Sequence, residues 1–202
     1  MVSADPADRQ KQERRRQIIA AAKGVFADSG YHGASINAII EKADIARGTF
    51  YLYFESKSAV FDSILDHAMT DLRARIHRIA VDDPKAPAPQ VQLRAQVVAT
   101  LEYIVRDRGL AMLLLSAGHT PDAEAAERLD QFFAEVRDLL RRAFESGMEI
   151  GLVRKVDTEL AAAAMLGMIR GVVEQLVTQP KPPAVEHVVD ELLIIALRGV
   201  LA

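Results

Sequence analysis

Apolar residues recur at three- and four-residue intervals along most of the chain, which is the period of helices with one buried face. The first stripe, Ile18, Ala22, Val25 and Phe26, predicts a helix over residues 9–29. Gly30 stands where a C-cap is needed, with Tyr31 packing back on the helix end. Residues 1–8 carry no such pattern and are expected to be disordered. Ser35 is an N-cap for a short helix over residues 35–43, with Ile36, Ile39 and Ile40 on one face. Asp44-Ile45 then breaks the period, Asp being tolerant of turn geometry. A second short helix follows from Arg47, with Phe50 and Phe54 four apart and facing inward. Ser56 caps a long fourth helix in which Val60, Phe61, Ile64, Leu65, Met69, Leu72, Ile76 and Ile79 continue the period.

Residues 81–89 place three prolines in nine positions and form a connection. Beyond it the pattern is helical again, over residues 90–107, 110–117, 122–146, 157–178 and 185–201. Gly109, Gly118, Gly147, Gly151 and the prolines at 180–183 punctuate these segments. No strand pattern and no internal repeat stand out, so the expected fold class is all-α.

Short helix, tight turn and short helix make a helix-turn-helix, whose second helix lies in the DNA major groove. Arg47, Thr49, Tyr51 and Tyr53 are then left for its outer face. Thr-Phe-Tyr-Leu-Tyr-Phe-Glu-Ser-Lys over residues 49–57 closely resembles the signature of TetR-type transcriptional repressors. In that family the second helix ends in Tyr-x-(His/Tyr)-Phe, and a Lys follows three residues later. Two positions depart from the family pattern: Ala46 stands where a Ser usually caps the recognition helix, and Asp44 where Gly is usual.

The resemblance implies an N-terminal three-helix DNA-binding domain over residues 1–55 and a C-terminal helical ligand-binding and dimerisation domain over 56–202. It implies that Lys57, Tyr51 and Tyr53 contact the DNA backbone. Lys57 opens the fourth helix, where free N–H groups and the dipole already favour phosphate. Arg47 is the candidate base reader, since Arg pairs bidentately with guanine. Thr49 suits a base or a phosphate, Gly48 shares the same surface, and Ser35 suits both a cap and a phosphate. The alternative for the tyrosines is a half-buried core position with a wet hydroxyl.

Charge supports a DNA-reading half. Net charge is −3, yet residues 1–57 hold nine Lys/Arg against seven Asp/Glu, and residues 58–202 hold sixteen against twenty-one. Residues 9–16 carry five cations against the single Glu13. A basic leading segment ahead of an acidic remainder is the footprint of a DNA reader joined to a non-DNA domain, although a charge run also serves as a solvated face. No cysteine is present, which excludes disulfides, thiolate metal sites and cysteine nucleophiles. None of the five histidines has a second His at metal-ligand spacing, no Glu-x-x-His pair occurs, and no phosphate loop or nucleophile elbow is present. No metal, cofactor or enzymatic activity is expected. The polar start lacks a signal-peptide core, and the apolar run at residues 160–169 ends at Arg170, too short to span a membrane. A cytoplasmic protein without a membrane partner is expected.

The resemblance also implies an apolar ligand cavity among the middle helices. Met112, Leu115, Phe132, Phe133, Met165 and Met168 are its candidate lining, with His119 at a corner between helices; a plain core would use the same residue types. A polar handle near His119, Arg106 or Arg108 would suit an acyl-CoA. Ala163, Gly167 and Gly171 form a row of small residues that permits close helix approach. Together with Val188, Leu192 and Ile195 on the last helix, they are the candidate homodimer interface. The resulting reading is a homodimeric repressor released from double-stranded operator DNA by a small hydrophobic effector. Its rival is a helical-bundle enzyme or carrier of a hydrophobic molecule without DNA binding, in which residues 47–57 match by accident.

Overall fold

The computed structural model describes residues 6–116 and 122–200, and every regular element among them is an α-helix. In chain order these are α1 (Pro6–Gly33), α2 (Ile36–Lys42), α3 (Arg47–Tyr51), α4 (Lys57–Arg75), α5 (Pro89–Arg106), α6 (Arg108–Leu115), α7 (Ala123–Glu149), α8 (Thr158–Thr178) and α9 (Val185–Val200).

Caps set most of the boundaries. Ser35 Oγ accepts from Ala38 N at 3.1 Å and Ser56 Oγ from Ala59 N at 3.0 Å, so each satisfies an orphan donor of its helix. Asp107, Asp122 and Asp157 do the same for α6, α7 and α8. Helix α1 starts at Pro6 rather than at the expected Arg9, Pro being at ease in a first turn. At Gly30 (φ 69°) the backbone leaves helical geometry, as a C-cap there requires, and a further short turn runs to Gly33.

The fourth helix stops at Arg75, four residues short of the end its apolar period implies. Ile76 is extended, and side chains of α5 take over the backbone beyond it. His77 N donates to Gln96 Oε1 at 3.1 Å, while Gln92 both accepts from Ala80 N (2.9 Å) and donates to Ala80 O (2.8 Å). Ile76 and Ile79 therefore sit on an extended strap laid against α5, where they still face inward.

The first three helices close over an aromatic core. Tyr31 packs on Phe61 (4.6 Å between ring centres) and Phe26 (5.4 Å), with Phe50 and Phe54 buried beside them. Helix α4 runs out of this core to pack on α7 and α5, α8 lies on α7, and α9 lies on α5. Arg94 and Asp190 pin α5 to α9 through two hydrogen bonds of 2.6 and 3.0 Å. Helix α6 bridges the two halves, touching α1 on one side and α8 and α5 on the other.

Candidate DNA-reading surface and effector cavity

The reading helix is only five residues long, so its neighbours must position it. Phe50 is wholly buried and Phe54 nearly so, which anchors one face. Asp44 adopts φ 49°, a left-handed conformation that Asp tolerates, and this turn sets α3 across α2. Ala46 makes no side-chain cap at the N-terminus of α3, as its departure from the family's Ser implies. Arg15 from α1 stacks over the Phe54 ring at 4.9 Å and ties the basic first helix to the back of the motif.

The outer face presents Arg47 and Gly48, with Thr49 half-buried. Gly48 has open space where a side chain would stand, which leaves its backbone approachable. Arg47 Nη1 donates to Asn37 Oδ1 at 3.2 Å, and its guanidinium lies 5.9 Å from the Tyr51 ring centre. Tyr51 is 45% exposed, whereas Tyr53 is half-buried against the core. Ser35 is exposed at the start of α2 while its hydroxyl caps the helix.

Sequence reasoning passed over two residues on this face. Asn37 holds Arg47, and Leu52 is 80% exposed at the end of α3. The signal for Leu52 was its spacing: two residues from both Phe50 and Phe54, it points the opposite way. Lys57, expected on a phosphate, has partners within its own chain. Its ammonium turns inward, donating to Tyr31 O at 2.7 Å and Ala34 O at 3.2 Å, 4.1 Å from the Tyr31 ring centre. It thereby clamps the end of α1 and the approach to α2 onto α4.

The two halves meet at α1 and α6. Lys23 Nζ lies 2.5 Å from Asp107 Oδ2, and Asp107 Oδ1 caps α6 through Leu110 N. Gly109 lets the helices touch: a Cβ there would stand 2.9 Å from Lys23 Cβ and 3.1 Å from its carbonyl carbon and oxygen. On the α4 side, Arg128 of α7 bonds Asp62 at 2.6 Å, and Arg73 bonds Glu135 at 2.6 Å.

A cavity of about 430 Å³ opens between the 76–79 strap, α5, α7, α8 and α9. Gly151 (φ 72°) turns the chain back after α7, and Leu152 N and Val153 N both donate to Gly147 O. This turn closes one wall with Leu152 and Val153. The lining is mostly apolar, with Gln96 and Ser146 among its polar members, and its titratable members are all basic: His77, Arg78 and Arg142. All three are exposed, and Arg142 is paired with Asp138 one turn earlier on α7.

A second, smaller cavity of about 90 Å³ lies towards α6, lined by Leu114, Leu115, Phe132 and Phe133 among others. The cavities share Ile76, Leu140 and Ile169 in their walls.

The candidate ligand residues are thus divided. Leu115, Phe132 and Phe133 line the small cavity and Met165 the large one. Met112 packs partly buried against the core without lining either, and Met168 lies in a surface groove between α8 and α9. His119 lies outside the described residues. Arg106 pairs with Glu102 at 3.0 Å and Arg108 bonds the Val177 carbonyl; neither lines these two cavities.

Ala163, Gly167 and Gly171 share an exposed face of α8, with nothing within 4 Å of a Cβ placed at either glycine. Leu160 (69% exposed) and Ile195 (64% exposed) extend this apolar face, and Val188 is half-buried beside it. Leu192 differs from the expectation in being buried, its side chain filling the space between the groove and the large cavity. Helix α8 as a whole, unlike its run at 160–169 alone, is long and apolar enough to cross a membrane, with a mean hydropathy of 1.5. One of its faces is packed on α7, and the other is this small-residue face.

Comparison with known proteins agrees with this architecture. Residues 18–64 match the family of bacterial regulatory proteins of the tetR type, and residues 86–174 match a tetracycline repressor-like C-terminal domain. The fatty acid metabolism regulator protein of Bacillus subtilis is 25% identical over 162 residues, covering 80% of this chain and 82% of that one. The fatty acid degradation regulator FadR from Bacillus halodurans superposes with a TM-score of 0.76 at 25% identity, covering 92% of this chain and 95% of its own. FadR from Bacillus subtilis, solved in complex with stearoyl-CoA, superposes with a TM-score of 0.75 at 21% identity, over 91% and 98% of the two chains. With a capped helix-turn-helix at one end and an effector-sized cavity at the other, the chain belongs to the TetR family of ligand-responsive, DNA-binding transcriptional regulators.

Proposed function

We propose that this protein is a homodimeric repressor, released from its operator by an effector that joins a long apolar chain to an anionic head. The observation that carries the reading is the large cavity: a mainly apolar chamber with two exposed arginines in its lining, Arg78 and Arg142, the second of them paired with Asp138. A carboxylate or phosphate there would meet cations, while the chain would displace water from apolar walls. The Bacillus subtilis relative named for fatty acid metabolism and the fold match solved with stearoyl-CoA support the same chemistry.

On DNA, Arg47 reads a base edge from the start of α3, and Tyr51 and Tyr53 bond phosphates. Ser35, Gly48 and Thr49 complete the contact surface. The DNA-reading unit ends near residue 55, and the remainder senses effector and dimerises. The apolar face built on Ala163, Gly167 and Gly171, with Val188 and Ile195, takes a second copy of the chain. Pairing through it would set two reading helices one DNA turn apart, about 34–36 Å. Such a protein works in the cytoplasm.

The test starts with purified protein and sheared chromosomal DNA at low salt, followed by sequencing of the retained fragments. Stearoyl-CoA and stearate should then release the recovered fragment and raise the melting temperature. By linkage, each must also bind less tightly when the fragment is present. Protein that retains no DNA, or that releases it with none of these compounds, would overturn the reading.

A further inference from the structure

The two cavities adjoin, and the smaller one reaches the helix that joins the halves. Ile76, Leu140 and Ile169 line both chambers. The large one carries the exposed Arg78 and Arg142 in its lining. The other is walled by Leu114 and Leu115 at the end of α6, the helix whose first turn touches α1 through Gly109 and Asp107. The large chamber is about 430 Å³ and the small one about 90 Å³.

We infer that Ile76, Leu140 and Ile169 form a gate that makes induction depend on chain length. An effector held at its anionic head by Arg78 fills the first chamber with a short or medium chain and stops at the gate. Such a ligand binds without touching α6. A longer chain passes the gate, enters the second chamber and presses on Leu114 and Leu115. Packed side chains yield by shifting their element rather than by compressing. The displacement is therefore passed to α6 and on to α1, where the Gly109 contact with Lys23 leaves no slack. Binding energy collected in the first chamber does not discriminate the DNA-competent state; only contact in the second does. A ligand shifts an equilibrium by no more than its differential affinity for the two states. Short chains are thus occupants, and long chains are inducers.

This inference rests on the cavity being the effector site, and the experiment separates the two claims. Octanoate, myristate and stearate, with their coenzyme A thioesters, are titrated against the full-length protein, alone and on its recovered DNA fragment. All should raise the melting temperature, but stearoyl compounds should weaken DNA binding on the order of tenfold or more while octanoyl compounds leave it unchanged. Comparing the free acids with the thioesters shows which head the large chamber accepts. Ile169→Phe, at a half-buried position, narrows the gate and should abolish DNA release by stearoyl compounds. Val136→Phe, which fills the second chamber from α7, should do the same if both chambers are one path. If none of the compounds binds, the effector reading and the gate fall together. If all bind and release DNA in proportion to affinity, whatever their length, the effector site stands and the gate is overturned. Equal loss of short- and long-chain binding in both variants also overturns it.

Discussion

The ammonium of Lys23 and the carboxylate of Asp107 meet at 2.5 Å, joining the helix-turn-helix half to the first turn of the helix that borders the smaller cavity. Both side chains are partly exposed, so the pair itself contributes at most about 1 kcal/mol. The backbone contact beneath it is less forgiving. Gly109→Ala puts a methyl group against Lys23 backbone atoms at 3.1 Å, which cannot swing away as the tip of a side chain can. Helix propensity alone would make the change stabilising by about 1 kcal/mol. The contact predicts instead that α6 is pushed off α1, as an inducer would push it. DNA affinity without effector should fall about 5–150-fold, with a smaller further loss on adding effector. Fluorescence anisotropy of a labelled fragment measures both, and wild-type affinity would remove the α1–α6 contact from the coupling path.

Arg47 and Leu52 should control sequence preference, and Lys57 should control stability. Arg47→Ala removes a candidate bidentate base contact and should cost about 1–3 kcal/mol at one operator position. Leu52, 80% exposed on the same face, suits a thymine methyl, so Leu52→Ala should relax preference at a neighbouring position. Lys57→Ala should chiefly lower the melting temperature, because its charged hydrogen bonds to Tyr31 O and Ala34 O are worth about 1.5–3 kcal/mol each at most. A salt slope flattened by about one unit in Lys57→Ala, with stability intact, would return that residue to a phosphate.

Legibility followed the range of the forces involved. Ser35, Asp44 and Ser56 act within four residues of themselves, so their caps and turn could be read from neighbours alone, and the DNA motif with them. The end of α4 could not. Ile76 and Ile79 continue its helical period, but Gln92 and Gln96, far along the chain, hold that backbone extended. The cavity was hidden for a different reason. A Leu or Phe lining a void and one filling a core show the same periodicity, so nothing in the pattern separates Met165, which lines the large cavity, from Met168, which lies in a surface groove. Apolar character likewise disguised Leu52, which the spacing alone had put outside.

Gly167→Leu tests the two-fold face. Gly167 has nothing within 4 Å of where its Cβ would stand and lies on an exposed face, so the substitution should leave the fold intact. In a dimer packed through Ala163, Gly167 and Gly171 it would hold the partner's helix away. Sedimentation should then show monomer, or a dimer weakened by at least tenfold, and operator affinity should drop because two half-sites are no longer read together. An unchanged dimer would move the interface off this face.

Alkaline stability should be set by Tyr31. Burial, reinforced by the negative charges of Asp122, Glu124 and Asp62, pushes its hydroxyl from 10.0 up to about 12. Tyr103 on α5 is raised as well, by burial and then by its hydrogen bond to Asp71. A group whose folded pKa lies above its unfolded value holds its proton more tightly when folded. Its contribution is therefore complete below the unfolded pKa and is lost as pH rises through the folded one. For Tyr31 the loss should run from about pH 10 to about pH 12, as the unfolded chain releases a proton that the native chain retains. Tyr31→Phe keeps the ring on Phe26 and Phe61 and removes the ionisable group. Its unfolding free energy should fall less steeply across that interval than the wild-type value, and Tyr31→Phe/Tyr103→Phe should be flatter still. Urea titrations at half-unit steps of pH resolve the slopes, and a single variant that parallels wild type throughout would mean that the Tyr31 hydroxyl ionises normally in the folded protein.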